Sequence, residues 1–167
     1  MTTETTVTVD ETHLTLAADA VLTYVTHPKE GSRKGATLTV VNDVSGGRVT
    51  VRFRKPKGFK AVLVDVMTGS DNESDYAFAG TLVGTELRIS PKAKAPEAKA
   101  KVAKAILDWT FARVAGGHPL EGAKSDGTPF SVRCLHSGRC ACCGRKLTVP
   151  SSLDKGVGPE CYAKLVA

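Results

Sequence analysis

Four metal-seeking side chains near the C-terminus constrain this chain more than anything else in it. They lie in His136-Ser-Gly-Arg-Cys140-Ala-Cys-Cys143-Gly144 and, seventeen residues on, at Cys161 in Gly156-Val-Gly-Pro-Glu-Cys161. Read as H-x3-C-x2-C-x17-C, the segment offers three thiolates and one imidazole, a full tetrahedral set for a structural Zn²⁺. The two-residue gap between Cys140 and Cys143 lets both sulfurs face one ion, and Gly144 permits the tight turn that aims backbone N–H groups at sulfur. Cys161 follows a forced turn and is expected to open a short last helix, whose N-terminal end favours a thiolate. The fourth position has two candidates. His136 fits it, and Cys134 fits it in a C-x5-C arrangement. Cys142, between the knuckle cysteines, is expected to point away. The plain alternative for the whole group is a set of free buried thiols.

Cysteine usage supports metal over disulfides. All five cysteines fall between Cys134 and Cys161, an odd number in one cluster. A secreted disulfide scaffold scatters an even number through the chain. The Thr-rich, acidic start has neither a basic n-region nor an apolar stretch, so no signal peptide is expected. No apolar run is long enough to span a bilayer, and the expected location is the cytoplasm.

Upstream of the cysteines the signals are those of an α+β fold. Residues 1–11 are expected to form a disordered tail, and the reading of Leu14 to Val25 stays open between strand and helix. Ala36 to Val41 reads as a strand, Asn42 to Gly47 as a turn, and Arg48 to Arg54 as a second strand. In the second strand Val49, Val51 and Phe53 alternate with Arg48, Thr50, Arg52 and Arg54. Period two sends the apolar set into the core and sets three arginines on one exposed face, spaced about like successive phosphates. Strands follow over Lys60–Met67, Tyr76–Val83 and Glu86–Ile89, completing an antiparallel meander. Pro96 and Glu97 open a long helix that Gly116-Gly117 stops. Val102, Ile106 and Trp109 make one apolar stripe on it, and Leu107, Phe111 and Val114 an adjoining one. The expected organisation is a domain over 12–116, a linker over 117–131, and a small zinc ribbon over 132–167.

The net charge of +6 is unevenly spread: residues 29–60 hold nine bases against Glu30 and Asp43. Basic faces of this kind suit phosphates, and an ordinary solubilising surface is the competing reading. The candidate nucleic-acid-binding residues are Arg48, Arg52, Arg54, Lys55 and Lys57, with Arg139, Arg145 and Lys146 of the ribbon. Few aromatics are placed for stacking bases. The alternative is a protein-protein adaptor or inhibitor in which zinc only staples the C-terminus. No catalytic residues stand out. Four protein ligands leave zinc no open position, no phosphate loop or nucleophile elbow is present, and His13, His27 and His118 read as surface residues. Asp71, Glu73 and Asp75, with Asp65, form an acidic set that reads as an exposed turn before it reads as a cation site.

The segment from His136 to Cys161 resembles an uncharacterised zinc-ribbon family frequent in bacteriophage and actinobacterial proteins, with the pattern H-x-G-x-C-x-x-C-G-R-x-L-T-x-P-x-S-[IL]-x-x-G-[IFV]-G-P-x-C. The resemblance covers about 26 residues. It implies His136, Cys140, Cys143 and Cys161 as ligands, and a phage context in which the partner is nucleic acid or a host or phage protein. Ser151 departs from the pattern, where many relatives carry Glu, and Cys134 and Cys142 are additions to it. The family carries no assigned activity.

Overall fold

The structure is a computed structural model describing residues 14–32, 35–69 and 75–166. The expected tail lies outside these residues, as do His13, Arg33, Lys34, Asp71 and Glu73. Strands form where period-two alternation put them: β1 (Ala36–Asn42), β2 (Arg48–Arg54), β3 (Val62–Met67), β4 (Tyr76–Val83) and β5 (Glu86–Ile89). Leu14 to Val25, ambiguous as sequence, holds a 3-10 turn (Ala18–Ala20) that leads into the short α1 (Val21–Thr26). The long helix α2 runs from Glu97 to Ala115, opened by Pro96 and closed at Gly116.

Two further strands, β6 (Glu121–Ala123) and β7 (Pro129–His136), occupy the expected linker and the start of the expected ribbon. The sheet is antiparallel throughout, in the order β5-β4-β3-β2-β1-β7-β6. After α2 the chain returns to lay β7 along the free edge of β1, pairing Thr39 with Leu135 and Val40 with Cys134. An unpaired β1 edge would expose a row of unsatisfied backbone groups. No propensity signal marks β7, because Pro129 and Arg133 dilute it and its warrant is the partner strand.

One face of the sheet carries Leu38, Val40, Val51, Phe53, Val64 and Val66, all buried. Helix α2 packs on it with Ala100, Ala103, Leu107 and Phe111, and the Phe53 and Phe111 rings lie 6.1 Å apart. The expected stripe of Leu107, Phe111 and Val114 faces the core, but that of Val102 and Trp109 does not. Val102 is 55% exposed and Trp109 38%, because the small Ala100 and Ala103, in line with Leu107 and Phe111, let the backbone approach the sheet and leave the opposite side of the helix outward. Trp109 instead meets Phe130 edge-on, with Arg113 over both rings. The helix also closes the other sheet edge. Asp108 accepts the Leu87 N–H at 2.8 Å, and Lys104 donates to the Leu87 carbonyl at 2.8 Å.

The opposite face of β2 differs from its expectation too. Arg52 stands across from Asp65 in the β2–β3 register, and both Arg52 and Arg54 donate to the Asp65 carboxylate, which is 1% exposed. The arginine side chains keep only 18% and 23% of their surface in solvent. Strand alternation placed the arginines on the right face, but a carboxylate on the neighbouring strand β3 pairs with two of them. Of the expected arginine face, Arg48 alone is exposed. Asp65 is equally unavailable to the acidic set.

Candidate metal centre

The cysteine segment starts where β7 ends. Cys140 N–H donates to the Arg145 carbonyl at 2.8 Å and Gly144 N–H to the Cys140 carbonyl at 2.8 Å, closing the knuckle. Gly144 takes φ +77 there, a left-handed value open to glycine. One isolated bridge, Arg139–Lys146, and two short helices, α3 (Pro150–Lys155) and α4 (Pro159–Val166), make up the segment expected to be a ribbon. Cys161 lies in the first turn of α4, as expected.

The sulfurs of Cys140, Cys142 and Cys161 lie within 4.8 Å of one another. Cys143 interacts with the sulfurs of both Cys140 and Cys161. Four thiols therefore share one spot. Cys142 does not point away. The inward position in the turn belongs to Ala141, 2% exposed, whose N–H donates to the Gly156 carbonyl and whose carbonyl accepts from Lys29 N–H. With Ala141 fixed inward, Cys142 is left on the side of Cys161.

His136 stands apart from the sulfurs. It is buried, its Nδ1 accepts the Gly138 N–H at 2.9 Å, and its Nε2 lies 2.6 Å from the Leu153 carbonyl. A backbone donor at Nδ1 fixes the tautomer, so Nε2 carries the proton and donates. Both nitrogens are thus committed to backbone groups, and a ring so engaged has no lone pair to offer a metal. The expected fourth ligand is here engaged as a brace that ties the end of β7 to α3. Burial, first of all, holds its imidazole below the ordinary 6.5, against weaker raising effects from Leu153 and Asp154. The alternative ligand, Cys134, is buried in the sheet at 1% exposure, with its thiol pushed up to about 12 by burial.

The four clustered thiols are uneven in acidity. Burial pushes Cys140 upward, but hydrogen bonds from Gly158 N–H, at 3.2 Å to its sulfur, and from Cys143 and Cys142 prevail and lower its pKa. Cys161 is raised to about 12 by burial and by its neighbours Cys140 and Cys143. Cys142 is raised to about 11 by burial and by the same neighbouring sulfurs. One thiolate forms readily, and each further one meets it as a like charge. A cation at the centre reverses that repulsion, since a coordinated thiol gives up its proton. Four sulfurs with a backbone N–H aimed at one of them make a donor set that fits a soft divalent metal.

The rest of the chain holds this segment firmly. Leu147, Leu153 and Val157 join the same hydrophobic core as the sheet. Leu16 N–H donates to Cys134 and Ala17 N–H to Asp154, so residues before α1 bind both β7 and α3. Of the other expected site residues, Lys57, Arg139, Arg145 and Lys146 are exposed and Lys55 is half-buried.

Residues 135–166 match DUF6011, a family of unknown function. The match spans the end of β7, the knuckle and both C-terminal helices, which is the segment the sequence marked out. No curated protein and no solved structure matches the chain. Among the described residues no helix is long and apolar enough to cross a membrane.

Proposed function

We propose that the protein is a zinc protein that binds nucleic acid through its phosphates, with the metal as an internal staple rather than a catalyst. The observation that carries the zinc reading is the four-thiol cluster of Cys140, Cys142, Cys143 and Cys161. Four sulfur ligands suit tetrahedral Zn²⁺ and fill its coordination sphere, leaving no position for a reacting water. The nucleic-acid reading draws on the charge beside that cluster. Arg139, Arg145 and Lys146 stand exposed on the knuckle, and Arg48, Lys55 and Lys57 flank the two ends of β2. Cations of this number support salt-sensitive binding with little sequence preference.

Two measurements test the proposal. Elemental analysis of purified protein is expected to give one zinc per chain. Iron in its place, with visible absorbance, would overturn the zinc assignment. Fluorescence anisotropy with labelled single-stranded DNA, duplex DNA and RNA is expected to show binding that weakens steeply as salt rises. Absence of binding to all three at low salt would reject the nucleic-acid role. A protein-binding role has one observation of its own: Val102 and Trp109 lie exposed one heptad apart on α2. Capture of a partner lost on Trp109→Ala would favour it.

A further inference from the structure

Between the open face of the sheet and the cysteine knuckle lies a cleft of about 640 Å³. From the sequence nothing marks it, since its walls come from the α1–β1 connection, β1, β2, the end of β7 and the knuckle. Three cations line it: Lys29 and Arg139, both exposed, and Arg52. Hydroxyls of Thr37, Thr39 and Thr50 stand between them on the sheet. Among the described lining residues there is no carboxylate. Asp65 sits behind Arg52, where one carboxylate serves two guanidinium groups, so the Arg52–Arg54–Asp65 group keeps a net positive charge. Arg52 is further fixed by stacking over the Tyr76 ring, 4.4 Å from its centroid. At the knuckle end Cys140 and Cys143 reach the wall; four thiolates on one Zn²⁺ would keep two negative charges there, eased at Cys140 by the Gly158 N–H and set against Lys29, Arg139 and the arginine pair.

We infer that this cleft is the seat of a phosphate ester, with Lys29, Arg52 and Arg139 around the phosphate and the threonine hydroxyls as further donors. The chemistry is specific in kind. Cations and hydroxyls lining one cleft without a carboxylate among them suit an oxyanion, and clefts of several hundred Å³ suit an organic group of nucleotide size. Leu14 and Leu135 on the wall supply apolar surface for the organic part. The phosphate can belong to a nucleic-acid strand or to a free nucleotide. The inference rests on the phosphate-binding reading above but locates it away from Lys55 and Lys57.

The test uses the full zinc-loaded chain and two probes, a fluorescein-labelled single-stranded dodecanucleotide and a fluorescent ATP analogue. Lys29→Glu, alone and with Arg139→Glu, and separately Thr50→Val, are compared with Arg88→Glu on the exposed face of β5, with zinc content measured for each. Charge reversal in the cleft is expected to weaken binding by roughly tenfold or more, with Arg88→Glu close to wild type. Loss with both probes assigns the cleft to a strand. ATP binding lost in the variants, with no oligonucleotide binding by the wild type, leaves the cleft standing as a nucleotide site and rejects the nucleic-acid role. Oligonucleotide binding that survives the cleft variants and disappears in Lys55→Glu with Lys57→Glu overturns the cleft and spares that role. No binding of either probe at low salt rejects both.

Discussion

His136 and Cys142 are placed differently from what their positions in the sequence suggest. A histidine four residues before a knuckle cysteine reads as a ligand, yet its two ring nitrogens are consumed by Gly138 N–H and the Leu153 carbonyl. A cysteine inside the C-x-x-C reads as a bystander, yet its sulfur sits with those of Cys140 and Cys161. The two substitutions should therefore separate. Cys142→Ser is expected to lower zinc affinity, measured by competition with a chromogenic chelator, while His136→Gln keeps one zinc per chain. The histidine variant should instead lose about 1–3 kcal/mol of stability in urea unfolding, the cost of stranding a buried backbone group. The opposite pattern would restore His136 as the ligand. Asp65 is the second residue whose surroundings decide its part. It holds two arginines at 1% exposure, so Asp65→Asn should cost about 3 kcal/mol by leaving partly buried cations unpaired. A loss below roughly 0.5 kcal/mol would mean that solvent screens the cluster like a surface pair.

Among the elements, α2 and α3 both depend on close approach. Helix α2 buries Ala100, Ala103, Leu107 and Phe111 and leaves Val102 outside. Leu107→Ala is expected to cost about 3 kcal/mol, and Val102→Ala less than about 0.5 kcal/mol, by chemical denaturation. Comparable losses at the two sites would contradict the face described. Helix α3 ends at Gly156, whose φ of +67 is left-handed and whose added Cβ would stand 2.6 Å from Tyr24 and 2.7 Å from Leu16. Backbone strain alone makes Gly156→Ala unfavourable by about 1–2 kcal/mol, and the contact with Tyr24 adds to it. That glycine lies within the motif segment, and its conformational demand suits a helix C-cap. Its contact with Tyr24, more than a hundred residues away, comes only from the fold.

For the molecule as a whole, the cysteine segment is built into the sheet domain rather than appended to it. β7 belongs to the sheet, and Leu147, Leu153 and Val157 belong to its core. Chelation at neutral pH is therefore expected to lower the thermal midpoint of a single transition. Two transitions, one of them unmoved by chelator, would show an independent module. Acid acts in the same direction through two groups. The His136 imidazole is held below 6.5 in the folded state, so unfolded chains take up its proton first and stability falls as pH drops from about 6.5 through the folded value. Thiols that must ionise to hold zinc take protons back over a similar descent, releasing the metal. Zinc retention and thermal midpoint measured from pH 8 to pH 5 should fall together. A midpoint that rises toward pH 5 would have the sign wrong.

Side-chain periodicity and turn chemistry are enough to specify the local structure. Alternation placed β1 to β5, Pro96 and Gly116 bounded α2, and cysteine spacing located the metal segment with its last helix opening ahead of Cys161. Tertiary structure decided everything that needed a partner distant along the chain. β7 became a strand because β1 had an open edge. Arg52 and Arg54 turned inward to a carboxylate on β3, and Cys142 joined the cluster because Ala141 was held inward by Lys29 and Gly156. His136 gives its two ring nitrogens to backbone groups, one of them on α3. Local pattern fixes which face a side chain leaves the backbone on. What that side chain meets there depends on the packing of segments far apart in sequence, and so does the gathering of the four sulfurs.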